Sequence, residues 1–294
     1  VGTLGIPEFG TQFVRRMLEE TRPQTFADLV RISGLSHGTD VWNNNARDWI
    51  ISKVATLREV ITCRDDIMND LIHKGMDPKE AFKIMESVRK GKGLTTEQEE
   101  KMHALGVPNW FVESCKRIKY LFPKAHATAY VSMAFRIAYF KVHYPLAFYC
   151  AYFTVKGDEF DPAVILRGPE AIEEELRTLK EQNSKNAKEK NREAILEIAL
   201  EAYDRGIEFL PVDLEKSDAS RFLIEDGKLR IPFSKLPGLG VRAAESIVAA
   251  RMEKPFVSLE DLATRAKINR AQIEILQKFG VLKELPETSQ ITLF

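Results

Sequence analysis

Residues Pro237-Gly238-Leu239-Gly240 constrain this chain more tightly than any other stretch of equal length. Two glycines around one apolar residue permit a tight turn whose backbone can approach a partner closely. The run that follows, Val241-Arg242-Ala243-Ala244-Glu245-Ser246-Ile247-Val248, carries its apolar residues at helical spacing. A helix that starts directly after such a turn leaves main-chain N–H groups without carbonyl partners, and these can bind a phosphate oxygen without reading base sequence. The expected arrangement has Leu239 plugging inward, Val241, Ala244, Ile247 and Val248 packing the helix, and Arg242 joining the turn as a DNA contact. The stretch from Lys267 to Leu282 reads as a degenerate second copy of the same element.

A formal net charge of +0 over 294 residues conceals a segregated distribution. Between Ser114 and Gly157 there is no Asp or Glu, while Lys116, Arg117, Lys119, Lys124, Arg136, Lys141 and Lys156 supply cations; from Asp158 to Asp226 the acids are dense. One basic face is therefore expected, of the kind that binds phosphates. With 44% hydrophobic residues the chain can build two cores of ordinary size. Cys63, Cys115 and Cys150 are widely spaced, which suggests neither a zinc site nor a disulfide framework and fits a reducing, cytoplasmic location. A start at Val1, without an initiator Met or a signal-like stretch, suggests a segment of a longer protein. Charged residues interrupt every apolar run short of a membrane span.

The periodicity predicts a mainly α chain. Helices are expected over 11–20, with Phe13, Val14, Met17 and Leu18 inward, and after the capping box Thr25-Phe26-Ala27-Asp28. A glycine-flanked loop over 34–40 follows, then helices near 46–60, 65–74, 78–90, 96–105 and 109–120. A long helix from about 124 to 144, restarted by Pro145 and continuing to Val155, is expected to form the buried centre of the first domain. Two polar-faced helices, a hairpin around Glu225-Asp226-Gly227-Lys228 and the turn-and-helix pair complete the chain. The tail over 285–294 is expected to be mobile.

Two further patterns point to ligands. In Phe122-Pro123-Lys124-Ala125-His126-Ala127-Thr128-Ala129-Tyr130, Lys124 and His126 stand in the first turn of the long helix, where its dipole and unpaired N–H groups favour an anion such as a triphosphate. A lysine there is unfavourable without a nearby anion. Tyr130, four residues after His126, shares its face, and Arg136 continues that side. At the C-terminus, Gln290-Ile291-Thr292-Leu293-Phe294 could seat Leu293 and Phe294 in a partner's apolar pocket with Gln290 at its rim. Adjacent Asp65 and Asp66 would point about 100° apart on a helix, a poor metal clamp, so no metal ligand and no catalytic residue is assigned to this chain.

The 122–130 motif, together with Arg136-Ile137-Ala138-Tyr139-Phe140-Lys141-Val142-His143-Tyr144-Pro145, resembles the fingers of family C bacterial replicative polymerases of the PolC type. Leu4-Gly5-Ile6-Pro7-Glu8-Phe9-Gly10-Thr11, Ser33-Gly34-Leu35-Ser36-His37-Gly38-Thr39-Asp40 and Phe82-Lys83-Ile84-Met85-Glu86-Ser87-Val88-Arg89-Lys90-Gly91-Lys92-Gly93-Leu94 carry the same resemblance. It implies the end of the palm over 1–10, helical fingers over 11–205, a smaller duplex-binding domain with tandem helix-hairpin-helix elements and a short β-hairpin over 206–284, and a tail over 285–294. That tail resembles the QxxLF peptide that binds the sliding clamp. The resemblance further implies that Lys124, His126 and Tyr130 hold the incoming dNTP, with Ser36 and Phe122 near its base. Arg64, Arg89, Lys90 and Lys92 become candidates for DNA contacts beside Pro237, Gly238, Leu239, Gly240 and Arg242. The implied partners are primer-template DNA, dNTP, the sliding clamp and upstream palm, thumb and exonuclease regions, with Mg2+ held by palm carboxylates that this chain lacks. The segment alone is then expected to be inactive. A clamp-associated DNA-binding adaptor, without enzymatic activity, is the competing reading.

Overall fold

Helix-start signals in the sequence act where they stand, and the fold is built from them. A computed structural model describes residues 1–182, 184–283 and 285–288. The chain divides into two units, Val1–Ala138 and Tyr139–Phe294.

In the first unit, the Thr11 hydroxyl accepts the Val14 N–H and starts α1 (Gln12–Thr21). Thr25 and Asp28 form the expected capping box of α2 (Phe26–His37). Asp28 also accepts from Arg58, whose guanidinium, ahead of the backbone N–H groups of Gln24 and Thr25, holds its carboxyl well below the usual range. The expected loop over 34–40 is instead helical as far as His37. Ser33, Gly34 and Leu35 are buried, so tertiary packing outweighs the low helix propensity of glycine. After an irregular turn at Trp42–Ala46 comes α3 (Arg47–Ile51). The longer helix expected over 46–60 ends there, and Lys53 takes a left-handed conformation, φ 58°.

Four further helices, α4 (Arg64–His73), α5 (Pro78–Arg89), α6 (Thr96–Ala104) and α7 (Asn109–Arg117), precede α8 (Lys124–His143). The core holds Met17, Ile32, Leu35, Ile67, Leu71, Ile84 and Met102. Phe13, expected inward, is exposed; only Val14, Met17 and Leu18 of α1 are covered. Nor is α8 the buried centre of this unit. Its covered stripe is the narrow set Ala127, Val131 and Ala134, whereas Tyr130, Met133 and Phe135 are exposed. Apolar content does not compel burial, and a broad exposed apolar face marks a surface that meets something.

The second unit begins with the last residues of α8. Proline at its first position starts α9 (Pro145–Lys156), followed by α10 (Pro162–Ile165), α11 (Pro169–Glu181) and α12 (Ala187–Asp204). Phe153 of α9 packs edge-on against Phe160 and Phe209 and beside Phe222. The expected hairpin forms from β2 (Leu223–Glu225) and β3 (Lys228–Arg230), with Asp226 and Gly227 at φ 50° and 78°, the twist a two-residue hairpin needs. It gains a third strand that periodicity did not reveal. β1 (Phe209–Leu210) pairs parallel to β3, giving the order β1-β3-β2. Then come α13 (Val241–Glu253), α14 (Leu259–Ala266) and α15 (Arg270–Lys278). Among the described residues the architecture is thus mainly α with one small sheet, and none of these helices is long and apolar enough to cross a membrane.

Lys141, one of the cations counted toward the expected basic face, does not contribute to it. Its side chain is 2% exposed, its ammonium is 2.5 Å from Glu201, and it lies over the Phe148 ring. Tyr149 donates its hydroxyl to the same carboxylate, and burial first, then this bond, pushes the phenol above its ordinary range. The cation is spent on joining α8, α9 and α12. Lys116 is likewise paired, with Glu99 and Glu113. Because removing one member of a buried pair strands the other charge, Glu201→Leu should cost about 3–5 kcal/mol in urea unfolding. The double change Lys141→Met with Glu201→Leu should recover most of that loss; an unchanged midpoint for Glu201→Leu alone would contradict the assignment.

Candidate nucleotide and nucleic-acid sites

Backbone pairing brings the first site together. Thr39 N–H donates to the Tyr120 carbonyl at 3.0 Å, and Lys119 N–H donates to the Thr39 carbonyl at 3.0 Å. This bridge clips the segment ahead of α8 to the end of α2. Gly38 permits it, since a Cβ there would lie 2.3 Å from Val41 Cγ2 and 3.0 Å from the Tyr120 carbonyl oxygen. His37 and Phe122 consequently stack, with ring centroids 4.8 Å apart and planes 22° apart. Tyr130 stands 6.3 Å from His37 and 6.2 Å from Phe122, its ring tilted by 5° and 22° respectively. His126 meets Phe122 edge-on at 6.0 Å. Three nearly parallel, partly exposed rings thus form a stepped shelf. Flat offset rings of this kind suit the face of a planar heterocycle.

Ser36, Phe122, His126 and Tyr130, all expected near a nucleotide, belong to this cluster. The residue at its centre, His37, was not singled out, although it follows Ser36 directly and is the aromatic residue in the last turn of α2. Its partner was not legible at all: Glu8 Oε2 lies 2.8 Å from His37 Nε2. Ser36 Oγ is 3.1 Å from His37 Nδ1 and donates to the Ser33 carbonyl at 3.0 Å.

Lys124 heads α8 as expected, but the argument that it needs an external anion is corrected. Its N–H donates to Asp65 Oδ2 at 2.8 Å, and its ammonium lies 3.5 Å from Asp66 Oδ1. The protein supplies the negative charge, and the Lys124 side chain remains 45% exposed. Asp66 in turn accepts from the Thr62 hydroxyl and from the N–H groups of Thr62 and Cys63, and meets Arg31 at 3.8 Å. These contacts all fall on Asp66 Oδ2 and, with Lys124 on Asp65 Oδ2 and Asp66 Oδ1, tie both carboxylates to neighbouring donors. Among the described residues no group of three or more His, Cys, Asp and Glu could hold a metal. Cys63, buried beside them, has its thiol pushed up to about 12 by burial.

Arg64 donates its N–H to the Phe122 carbonyl at 3.2 Å. Arg89 and Lys90 share Glu86, at 2.6 and 2.9 Å, and the carboxyl is held down at about 2, by Arg89 first and then Lys90. Lys92 and Arg136 are exposed.

The second site lies in the other unit. Gly238 takes φ 90°, Leu239 is 2% exposed and donates its N–H to the Leu236 carbonyl, and Gly240 begins α13 without a side-chain cap. Pro237, Gly238, Gly240 and Arg242 are exposed around it. Val241 is exposed too, contrary to expectation, because Ala244, Ile247 and Ala250 take the covered stripe. The second copy repeats this geometry one position at a time. Lys267 is left-handed at φ 53°, Ile268 is buried and Asn269 begins α15. It differs in one respect: the Asn269 side chain accepts the Gln272 N–H and so caps its own helix. Arg265 joins the copies, donating to the Ala250 and Lys254 carbonyls across the Phe256 ring. Gln290, Leu293 and Phe294 lie outside the described residues.

One unit thus carries an aromatic shelf beside a basic helix start, and the other carries two like turns that each open a helix. Residues 1–108 match the family of the bacterial DNA polymerase III alpha subunit finger domain, and residues 206–291 match the helix-hairpin-helix motif. Over its whole length the chain is 68% identical to DNA polymerase III PolC-type of Thermotoga maritima, 54% identical to that of Bacillus subtilis and 56% identical to that of Listeria monocytogenes. It spans 22% of the first of these relatives and 20% of the other two. The chain belongs to the PolC-type DNA polymerase III family.

Two expectations follow from these geometries. Gly238→Ala should destabilise the second unit by about 1–2 kcal/mol in chemical unfolding, the cost of a left-handed non-glycine residue, because the neighbouring Ile275 Cδ1 can move aside while φ cannot. A depressed carboxyl stabilises above its unfolded value and loses that contribution as pH falls through the folded one. The Glu86 pairing should therefore fade from about pH 4 down to about 2. Glu86→Gln should remove that part of the pH dependence of stability, and an unaltered acid profile would contradict the pairing.

Proposed function

We propose that this chain is the substrate-gripping part of a DNA-directed DNA polymerase, holding a dNTP on the ring shelf and duplex DNA at the helix-hairpin-helix turns. The shelf is the observation that carries the reading: three near-parallel rings beside an exchangeable lysine match a flat base joined to a triphosphate. Lys124 would exchange Asp66 for a phosphate, His126 would add a donor at the same helix start, and Tyr130, Phe122 and Ser36 would border the base. Uncapped N–H groups after Gly240, with Arg242 beside them, would take the DNA backbone. The self-capped second turn would take it less well. Arg64, Arg89, Lys90 and Lys92 are secondary candidates for backbone contacts, and Glu86 would compete with DNA for two of them.

The division of labour follows from the chemistry. Nucleotidyl transfer by this class of enzyme uses divalent metal ions, Mg2+ being the expected one, to stabilise attacking and leaving oxygens. Asp65 and Asp66 do not fit that task, so the metal-binding carboxylates belong to another part of the polymerase. The proposed domain division assigns 11–205 to fingers, 206–284 to duplex binding and 285–294 to a clamp-binding tail. Gln290, Leu293 and Phe294 would dock on the sliding clamp.

The chain should bind primer-template DNA without sequence preference, with affinity falling steeply as salt rises. A base-sequence preference at constant salt would contradict phosphate gripping. Lys124→Ala with His126→Ala should weaken dATP binding and leave duplex binding unchanged; unaltered dATP affinity would favour the adaptor reading. Removal of 290–294 should abolish clamp capture while duplex affinity stays constant, and equal clamp affinity would refute the tail assignment.

A further inference from the structure

We propose that the shelf continues past Phe122 onto Tyr120, where an unpaired template strand lays a base against the ring and its phosphates against Lys92 and Lys119. This rests on the nucleotide reading above. It adds a place for single-stranded DNA, which neither the 122–130 motif nor the helix-hairpin-helix turns supply.

The segment that carries Phe122 is fastened along both edges. On one side Thr39 accepts the Tyr120 N–H at 3.3 Å and donates to the Tyr120 carbonyl at 3.0 Å. On the other, Leu121 donates its N–H to the Arg89 carbonyl at 3.4 Å, at the end of α5. Gly91 lies against the same segment: it takes φ 71°, and a Cβ there would stand 2.6 Å from the Lys119 carbonyl oxygen. Only glycine lets the loop over 89–93 approach so closely. Lys92 donates its N–H to the Ser87 carbonyl at 3.0 Å, and the Ser87 hydroxyl donates to the Gly93 carbonyl at 2.9 Å, which fixes that loop. Leu121 is fully buried, whereas Tyr120, 42% exposed, and half-buried Phe122 flank it. Alternate residues of an extended segment share a side, so Tyr120 presents a further ring beside the shelf.

The close approach gathers cations around that ring. Arg89, Lys90, Lys92 and Lys119 all belong to the two joined segments, and Glu86 pairs with the first two alone. Lys92 and Lys119 are exposed and, among the described residues, make no ion pair. Unpaired like charges held together repel one another, and a chain of phosphates relieves that repulsion. An exposed ring among cations holds a single strand without reading its sequence, because every base has a face to stack and every nucleotide a phosphate to neutralise. A duplex does not suit the place, since its base faces are already covered by one another. A strand at Tyr120 passes beside the shelf that takes the incoming nucleotide, where the unpaired template of a copying enzyme has to lie.

The test measures fluorescence anisotropy of the 294-residue chain with a short oligo(dT), a blunt-ended duplex and labelled dATP as separate probes. Tyr120→Ala should weaken oligo(dT) binding by roughly five-fold or more, the loss of one stacked base, and Tyr120→Phe should bind like the parent. Lys92→Ala with Lys119→Ala should make the salt dependence of oligo(dT) binding shallower by about 1.4 in the slope of log K against log salt. Affinity for dATP, which reports an intact shelf, and for the blunt duplex should stay unchanged in each variant. Oligo(dT) bound equally by parent, Tyr120→Ala and the lysine variant, with dATP still bound, would overturn the single-strand site alone. Equal losses on oligo(dT) and blunt duplex would overturn its restriction to an unpaired strand. A parent chain that binds neither dATP nor oligo(dT) would overturn the nucleotide reading, and this site with it.

Discussion

Three hydrogen bonds between Thr39 and the 119–120 segment decide the geometry of the first unit's site. They join the end of α2 to the segment that leads into α8, two elements far apart in sequence. Everything on the shelf depends on that register. A shift of one residue would turn Phe122 away from His37, because successive side chains of an extended segment point to opposite sides. The constraint extends to Gly38, where any side chain would collide with Val41 and push the segments apart. Rings held by backbone pairing lose little further freedom when a flat ligand arrives, and such preorganisation strengthens binding.

Charge is handled differently in the two units. In the first, Asp65 satisfies the start of α8 and Asp66 lies 3.5 Å from the partly exposed Lys124 ammonium. In the second, Glu201 takes Lys141 and Tyr149 out of solvent entirely. The same stretch of sequence therefore leaves one cation partly exposed and spends another on architecture. The tandem turns show a comparable split. Glycine gives the first copy an uncapped helix start, whereas asparagine closes the second, so two turns of like geometry differ in what they offer a phosphate.

Most helices were legible because their boundaries are chemical: Thr25 and the prolines at 78 and 145 act through local bonds and ring geometry, whereas the short helix after Pro162 was not foreseen. The strand β1 was not, since two residues carry no period and their pairing is with a strand far along the chain. The end of α3 is marked by a left-handed lysine, Lys53, which carries no signal in the sequence. Of the candidate site, the part on α8 was legible from one motif, as were Ser36 before it and the Gly238 turn after it. Glu8 was hidden because its contact arises from an uncommon backbone angle, and His37 because a histidine in a glycine-rich stretch reads as loop until the helix is seen to run through it.

Photocrosslinking with 8-azido-dATP, followed by mass-spectrometric mapping of the labelled peptides, tests most directly whether the shelf receives a nucleotide base. Labelling concentrated on the peptides containing His37, Phe122 and Tyr130, and suppressed by excess dATP, is the result this account predicts. Labelling that bypasses those peptides while remaining sensitive to dATP competition would contradict it.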